Sequence, residues 1–276
     1  MKICSFRGLS VPFVYCCLSF THCIGQSAVS RGGGALDSAI NPPERTATLG
    51  QQDASALAEL AANVRTTGTS AWLGMRGTGK ITYGGTDAAE YEATLSILGN
   101  VGFRLDSRTA DGTTSVRIYK RMGKIQDEKG SFTLLVPNTA STGIFQFALP
   151  KEHVSAATNV SILDHGLSEV SGGKLHRITV EIPAGNFEAK RKATVATDLY
   201  FDPTSHFVVK SANTIRMNGV GNVDFLRVIT YDDYRAVNGT MIPFRFTQTL
   251  DGQKQWTLQL TDVQLNPALK ADFFQF

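Results

Sequence analysis

Polar and apolar side chains alternate with period two along most of this chain. Tyr91, Ala93, Leu95 and Ile97 stand between Glu90, Glu92, Thr94 and Ser96 without a break. Val101, Phe103 and Leu105 continue the pattern, as do Val116 and Ile118 within residues 115–121. Later runs cover residues 176–182, 193–201, 206–216, 223–231, 241–250 and 256–265. Successive strand side chains point to opposite faces, so each run predicts a strand with one face buried. Between the runs stand Asp111-Gly112, Gly172-Gly173, Asp202-Pro203, Asn218-Gly219, Asn238-Gly239 and Asp251-Gly252, with Asn100 shortly before Gly102. Asn-Gly and Asp-Gly signal hairpins, because both residues tolerate positive φ. The spacing predicts a large antiparallel meander of about nine or ten strands.

Three segments depart from this period. Leu57, Leu60, Ala61 and Val64 recur at the spacing of one helical face and predict a helix over residues 53–65. Asp53 suits its N-cap, and Thr66-Thr67-Gly68 ends it. Residues 137–165 contain Pro137 and Pro150, lack clean alternation, and carry Ile144, Phe145, Phe147 and Leu149. So long an apolar insertion must cover something, and short helices or a loop over one face or mouth of the sheet are expected. Residues 26–50, rich in Ser, Gly and Ala, read as a flexible leader.

Composition changes the picture mainly through cysteine. Cys4, Cys16, Cys17 and Cys23 all lie within the first 23 residues. Around them, Lys2 and Arg7 precede an uncharged run over residues 9–20, and small or polar residues follow at Gly25-Gln26-Ser27. That is the layout of a secretory signal, too short to span a bilayer, with cleavage expected after Gly25 or Ser27. The domain plan is a signal over 1–25, a leader over 26–50 and one large domain over 51–276, long enough to bury a core without staples. An exported domain without thiols excludes thiolate nucleophiles, disulfides and Cys-ligated zinc. Removing Lys2 and Arg7 leaves 25 basic against 24 acidic residues, so the net charge falls from +3 to +1. No cluster of Lys and Arg suggests nucleic acid as a partner.

Candidate chemistry is sparse. Gly74-Met75-Arg76-Gly77-Thr78-Gly79-Lys80 resembles the front of a phosphate-binding loop, but Ile81 replaces the required Ser or Thr and strand-like sequence follows. A glycine-rich first strand is the better account. His153, His165, His176 and His206 show no ligand spacing and read as surface or loop histidines. No G-x-S-x-G elbow occurs. Asp232 and Asp233 are adjacent, so in a strand they diverge and cannot flank one bond. Asn159-Val160-Ser161 and Asn238-Gly239-Thr240 match a glycosylation acceptor, the second better explained as a hairpin turn. Neither a catalytic set nor a cofactor or metal site emerges, and the expectation is a protein that is not an enzyme.

The apolar positions carry more information. Tyr91, Leu95, Ile97, Phe103, Leu105, Val116 and Ile118 line one side of consecutive strands. Packing against the helix explains most of them as core. One helix is narrow beside so large a sheet, however. The sheet either closes on itself or keeps an apolar concavity, lidded by the insertion with Phe145 and Phe147, that can hold a small ligand.

Several short stretches carry a family likeness. Phe103-Arg104-Leu105-Asp106, Asp111-Gly112 and Val116-Arg117-Ile118-Tyr119 form a strand, a turn and an aromatic-ended strand. Thr197-Asp198-Leu199-Tyr200-Phe201-Asp202 with Phe207-Val208-Val209 forms a second hairpin. Tyr231-Asp232-Asp233-Tyr234-Arg235, Asn238-Gly239 and Ile242-Pro243 form a third, and Val263-Gln264-Leu265-Asn266 and Phe273-Phe274 close the chain. With the order signal, helix, strands, insertion, strands, these stretches resemble the periplasmic outer-membrane lipoprotein carrier and sorting proteins of the Lol type, over residues 53–276. The resemblance implies an α+β fold: a curved, incomplete antiparallel β-barrel of about 9–11 strands with an N-terminal helix and a helical or loop lid. It implies burial of an acyl chain or other apolar ligand by a monomeric exported protein, with a lipid or lipoprotein acyl chain and an envelope membrane protein as partners. The ligand-binding set is then Tyr91, Leu95, Ile97, Phe103, Leu105, Val116, Ile118, Phe145 and Phe147, with Arg104 standing by position for the family's cavity arginine. The alternatives are an integral outer-membrane β-barrel and a structural or interaction module of the cell envelope.

Overall fold

The period-two alternation becomes thirteen strands in one sheet. A computed structural model describes residues 40–41, 50–69, 73–84, 89–99, 102–109, 112–120, 122–127, 129–130, 132–135, 160–183, 194–216 and 223–275. The stretch read as a signal, most of the expected leader, and the insertion through residue 159, with Phe145, Phe147 and His153, lie outside the described residues.

Helix α1 (Ala54–Thr67) precedes β1 (Gly74–Tyr83), β2 (Glu90–Leu98), β3 (Gly102–Thr109), β4 (Gly112–Tyr119), β5 (Met122–Gln126) and β6 (Phe132–Leu135). Then come β7 (Ser161–Val170), β8 (Gly173–Pro183), β9 (Thr194–Phe201), β10 (Val208–Arg216), β11 (Asp224–Val237), β12 (Thr240–Leu250), β13 (Gln253–Leu265) and a 3₁₀ turn, Ala271–Phe274. The strand order is β6-β5-β4-β3-β2-β1-β13-β12-β11-β10-β9-β8-β7. Two antiparallel meanders, β1 to β6 and β7 to β13, are therefore joined by the pairing of β1 with β13. β6 and β7 are the edges and do not pair with each other among the described residues, so the barrel is incomplete, as the sequence led one to expect.

Two of the hairpin signals are realised in the backbone as type I′ turns, while Asn218-Gly219, Asp111 and Asn100 lie outside the described residues. Asn238 and Gly239 have φ of 49° and 79°, and Asp251 and Gly252 have 46° and 77°. These are the paired positive values of a type I′ turn, whose twist matches that of the flanking strands.

The strand count exceeds the expectation because β5, β6 and β7 lack a clean sequence period. In β7, Ser161, Ile162 and Leu163 are buried in succession, and a bulge with Gly166 at φ 68° shifts the register between Asp164 and Leu167. Residues 161–165 belong to this strand, not to the covering insertion. β7 also gains a short parallel partner: Asp53 N–H donates to Ile162 O (2.9 Å), and Ile162 N–H donates to Gln51 O (2.7 Å). That contact satisfies polar groups that an open edge would leave exposed.

Asp53 does stand at the N-cap of α1, but its side chain makes no capping bond. Its Oδ2 accepts from Asp164 N–H instead (2.9 Å), so the cap residue fastens the helix to the sheet edge. Gly68 ends the helix at φ 69° and lies so close to the Gly239 carbonyl that any Cβ would meet it.

The phosphate-loop look-alike is strand β1. At Gly79 a Cβ would fall on the Gln259 carbonyl oxygen and the Leu260 backbone, beside a bulge between Thr78 and Gly79. At Gly77 a Cβ would stand 2.8 Å from Leu260 Cδ1, a side-chain atom that can move. Gly79→Ala should therefore cost about 3 kcal/mol and Gly77→Ala clearly less. Urea unfolding of the two variants tests that order; equal losses would refute the backbone-approach explanation.

Candidate functional site

Alternation places one continuous apolar surface on the inner face of the curved sheet. Leu95 pairs with Leu105 and Leu105 with Val116; Ile97 pairs with Phe103 and Phe103 with Ile118. Tyr91 stands across from Ile81, its ring 5.9 Å from that of Tyr83. The seven described residues expected to line a cavity thus share one face of neighbouring strands. Leu95, Ile97, Phe103, Leu105 and Ile118 are buried, while Tyr91 and Val116 are partly buried against the same cluster. That cluster continues through Met75, Ile81, Leu258, Leu260, Phe246 and Phe201 to Ile178 and Ile162.

Arg104 is not on this face. It alternates with Phe103 and Leu105, so it points outward, where Nε donates to both oxygens of Asp106 (3.0 and 2.8 Å). Its guanidinium stacks 4.5 Å from the Phe273 ring centre. The C-terminal 3₁₀ turn covers this outer patch, with Phe274 buried against Gly102, where a Cβ would enter its ring. Position in sequence suggested Arg104 for the cavity, and strand parity rules it out.

The inner face does hold an arginine, Arg227 on β11. Asn213 lies across from Arg227 on one side and Thr197 on the other. Thr197 is followed by Val180 and Ile162 in the same row, and Leu250 faces Arg227 from β12. Arg227 is 3% exposed, and burial pushes its pKa down to about 10, so it remains a cation at neutral pH. Its Nε donates to Asn213 Oδ1 (3.1 Å). No spacing rule marks a single Arg in a strand as buried, so sequence reasoning missed it.

Helix α1 packs on the inner side against β7 and β12. Leu57 and Leu60 join the apolar cluster as expected, together with Ala56, whereas Ala61 and Val64 of the expected face are only partly buried and lie outside it. Beside that stripe, Glu59, Asn63 and Thr67 are also buried at i, i+4 and i+8, and they are polar. Glu59 Oε1 accepts from His206 Nδ1 (2.8 Å), and Oε2 lies 3.4 Å from His176 Nδ1. His176 Nε2 reaches Asp164 Oδ1 (2.7 Å), and Asn63 Nδ2 donates to His206 O (2.7 Å). His176 and His206, two of the four histidines read from sequence as surface or loop groups, are thus gathered around the helix by the sheet. His165 binds Thr179 Oγ1 (2.8 Å) on the other face. Thr179 in turn donates to the fully buried Asp198, which Arg177 Nε also contacts (2.9 Å).

No group of three or more His, Cys, Asp or Glu residues among the described residues is placed to hold a metal ion. Asp232 and Asp233 pair with Arg245 and Arg235 respectively, and Asp233 takes a positive φ of 54° instead of regular strand geometry.

Burial would raise the Asp164 carboxyl, but bonds from the Ser55 hydroxyl, Gly166 N–H and His176 hold it below its ordinary 3.8. A carboxyl lowered in the folded state stabilises the fold above 3.8, and that contribution disappears as pH falls through the folded value. Asp164→Asn should be less stable than wild type by about 1–3 kcal/mol at pH 7. The gap should shrink below pH 3.8. Urea midpoints measured from pH 7 into the acid range check this, and a gap that does not narrow would sink it.

No protein-family model and no curated protein matches the chain. Solved structures do. A domain named for outer-membrane lipoprotein sorting, from Vibrio parahaemolyticus, matches 80% of this chain and 97% of its own, with 10% identity and a TM-score of 0.52. A DUF1329 family protein from Desulfovibrio piger matches 79% of this chain and 96% of its own, with 8% identity and a TM-score of 0.50. A LolA superfamily protein from Nitrosomonas europaea matches 79% and 97%, with 13% identity and a TM-score of 0.49. At such identities the likeness is one of fold alone: this chain shares its fold with the Vibrio domain named for lipoprotein sorting.

Proposed function

We propose that this chain is an exported binding protein that shelters an acyl chain, of a lipid or a lipoprotein, against the inner face of its half-barrel. The observation that carries the reading is the assembly of Tyr91, Leu95, Ile97, Phe103, Leu105, Val116 and Ile118 on one apolar surface of a sheet whose edges do not pair. The fold likeness supports it, as does the signal-like N-terminus, which would deliver the protein to the periplasm. Phe145 and Phe147 would complete the site from the insertion. The mechanism is burial without chemical conversion. Each methylene removed from water contributes about 0.8 kcal/mol, so a chain of ~14 carbons gains ~11 kcal/mol before ordering costs. A membrane protein of the envelope would receive or supply the ligand.

The integral-barrel alternative fits less well. Such barrels close completely and turn their apolar band outward to lipid. Here the continuous apolar surface faces inward, α1 packs on that side, and β6 and β7 do not pair with each other among the described residues. No helix among the described residues is long and apolar enough to cross a membrane.

Protein purified from its native host and extracted with organic solvent should yield stoichiometric lipid by mass spectrometry. Finding no lipid, together with no binding of a neutral apolar dye, would leave an interaction module as the better account. Phe103→Glu should abolish dye binding while Arg108→Glu, on the exposed outer face, should preserve it. Unchanged binding in a Phe103→Glu variant shown to be folded by circular dichroism would refute the assigned face.

A further inference from the structure

Asn213 presents an unusual balance of satisfied and unsatisfied groups. Arginine can only donate, so the amide atom 3.1 Å from Arg227 Nε must be the oxygen, and this fixes which way the amide points. The other end, Nδ2, carries two N–H donors, is buried, and has no hydrogen-bond partner among the described residues. Asn213 is 3% exposed and shares its face with Ser211 and Ile229, on the inner side of the sheet. Ser211 differs, because its hydroxyl bonds to Tyr231 OH (2.8 Å). A buried donor left without an acceptor is destabilising, and native proteins rarely keep one without a use for it.

We infer that Asn213 Nδ2 is a built-in donor for a carbonyl oxygen at the polar end of the bound acyl ligand, with Arg227 as the residue that positions the amide. This rests on the acyl-binding reading and deepens it, since it specifies which end of the ligand goes where. The polar end enters the row formed by Ile162, Val180, Thr197, Asn213, Arg227 and Leu250. The hydrocarbon then runs toward Phe246, Leu258 and the surface of β2 to β4. An acyl ester and a fatty acid both carry the oxygen that this donor requires, whereas a plain hydrocarbon does not.

The test uses the full chain with three probes delivered from cyclodextrin: methyl palmitate, palmitate and heptadecane, each competing with a neutral fluorescent dye. Asn213→Asp keeps an acceptor for Arg227 but removes the donor. It should weaken methyl palmitate about tenfold, the worth of one buried hydrogen bond, while heptadecane stays within about twofold. Palmitate should weaken further, because its carboxylate meets a second one; an equal loss for ester and acid would assign the donor to the carbonyl alone and also support the inference. Unchanged ester binding in the folded variant overturns the inference and leaves acyl binding standing. If the wild type binds none of the three probes, both fail. Should Asn213→Asp not fold, methyl palmitate labelled with ¹³C at the carbonyl decides the matter on the wild type. A bound carbonyl stretch below its frequency in heptadecane supports the inference, and an unshifted band overturns it.

Discussion

The antiparallel pairing of β1 with β13 holds the whole structure together. It links residues 75–83 with residues 256–265, nearly the full length of the domain. Without it the chain would form separate sheets of six and seven strands. Glycine-rich strands are weak on their own, because glycine loses much backbone entropy and packs no side chain. β1 is tolerated because both of its neighbours pair along its length, and because its glycines let Gln259 and Leu260 approach where a Cβ would stand. The phosphate-loop appearance of this stretch thus has a packing explanation.

Joined in this way, the two meanders divide the work. The β7 side is fastened by directional polar contacts: Asp53 to the Asp164 N–H, Asp164 to His176, and Glu59 to both His176 and His206. Such bonds set the position of α1 more narrowly than apolar contact would, because each has a preferred distance and angle. The β2 to β4 side is mainly apolar from Leu95 to Ile118, with one buried hydroxyl contact, Tyr83 to Ser107 (3.1 Å), at its end. A directional anchor suits a helix that must stay in place.

Much of the fold was legible in the sequence. The helix, the runs through β2, β3 and β4, those from β8 to β13, and the turns at Asn238-Gly239 and Asp251-Gly252 followed from periodicity and positive-φ tolerance. β7 was not legible, because three consecutive buried residues and a bulge at Gly166 erase the period that identifies a strand. Of the candidate site, Tyr91, Leu95, Ile97, Phe103, Leu105, Val116 and Ile118 could be read as one face, because strand parity alone assigns it. Arg104 could not be judged correctly from its position in a likeness, since that ignored the parity of its own strand. Arg227 and Asn213 were invisible, because polar residues at inner positions look like solvent-facing ones until the neighbouring strands are in place.

What the sequence determined by itself is local: which residues alternate, where the chain reverses and which side chains share a face within one strand or helix. These follow from backbone geometry that neighbouring residues impose on one another. Tertiary structure alone decided which strands became neighbours across the β1–β13 seam, and that His176 and His206 met Glu59. It also decided that Asn213 was buried with its donor facing inward. Those outcomes depend on pairings between residues far apart in the chain, and the energies that select them exist only once both partners have been brought together.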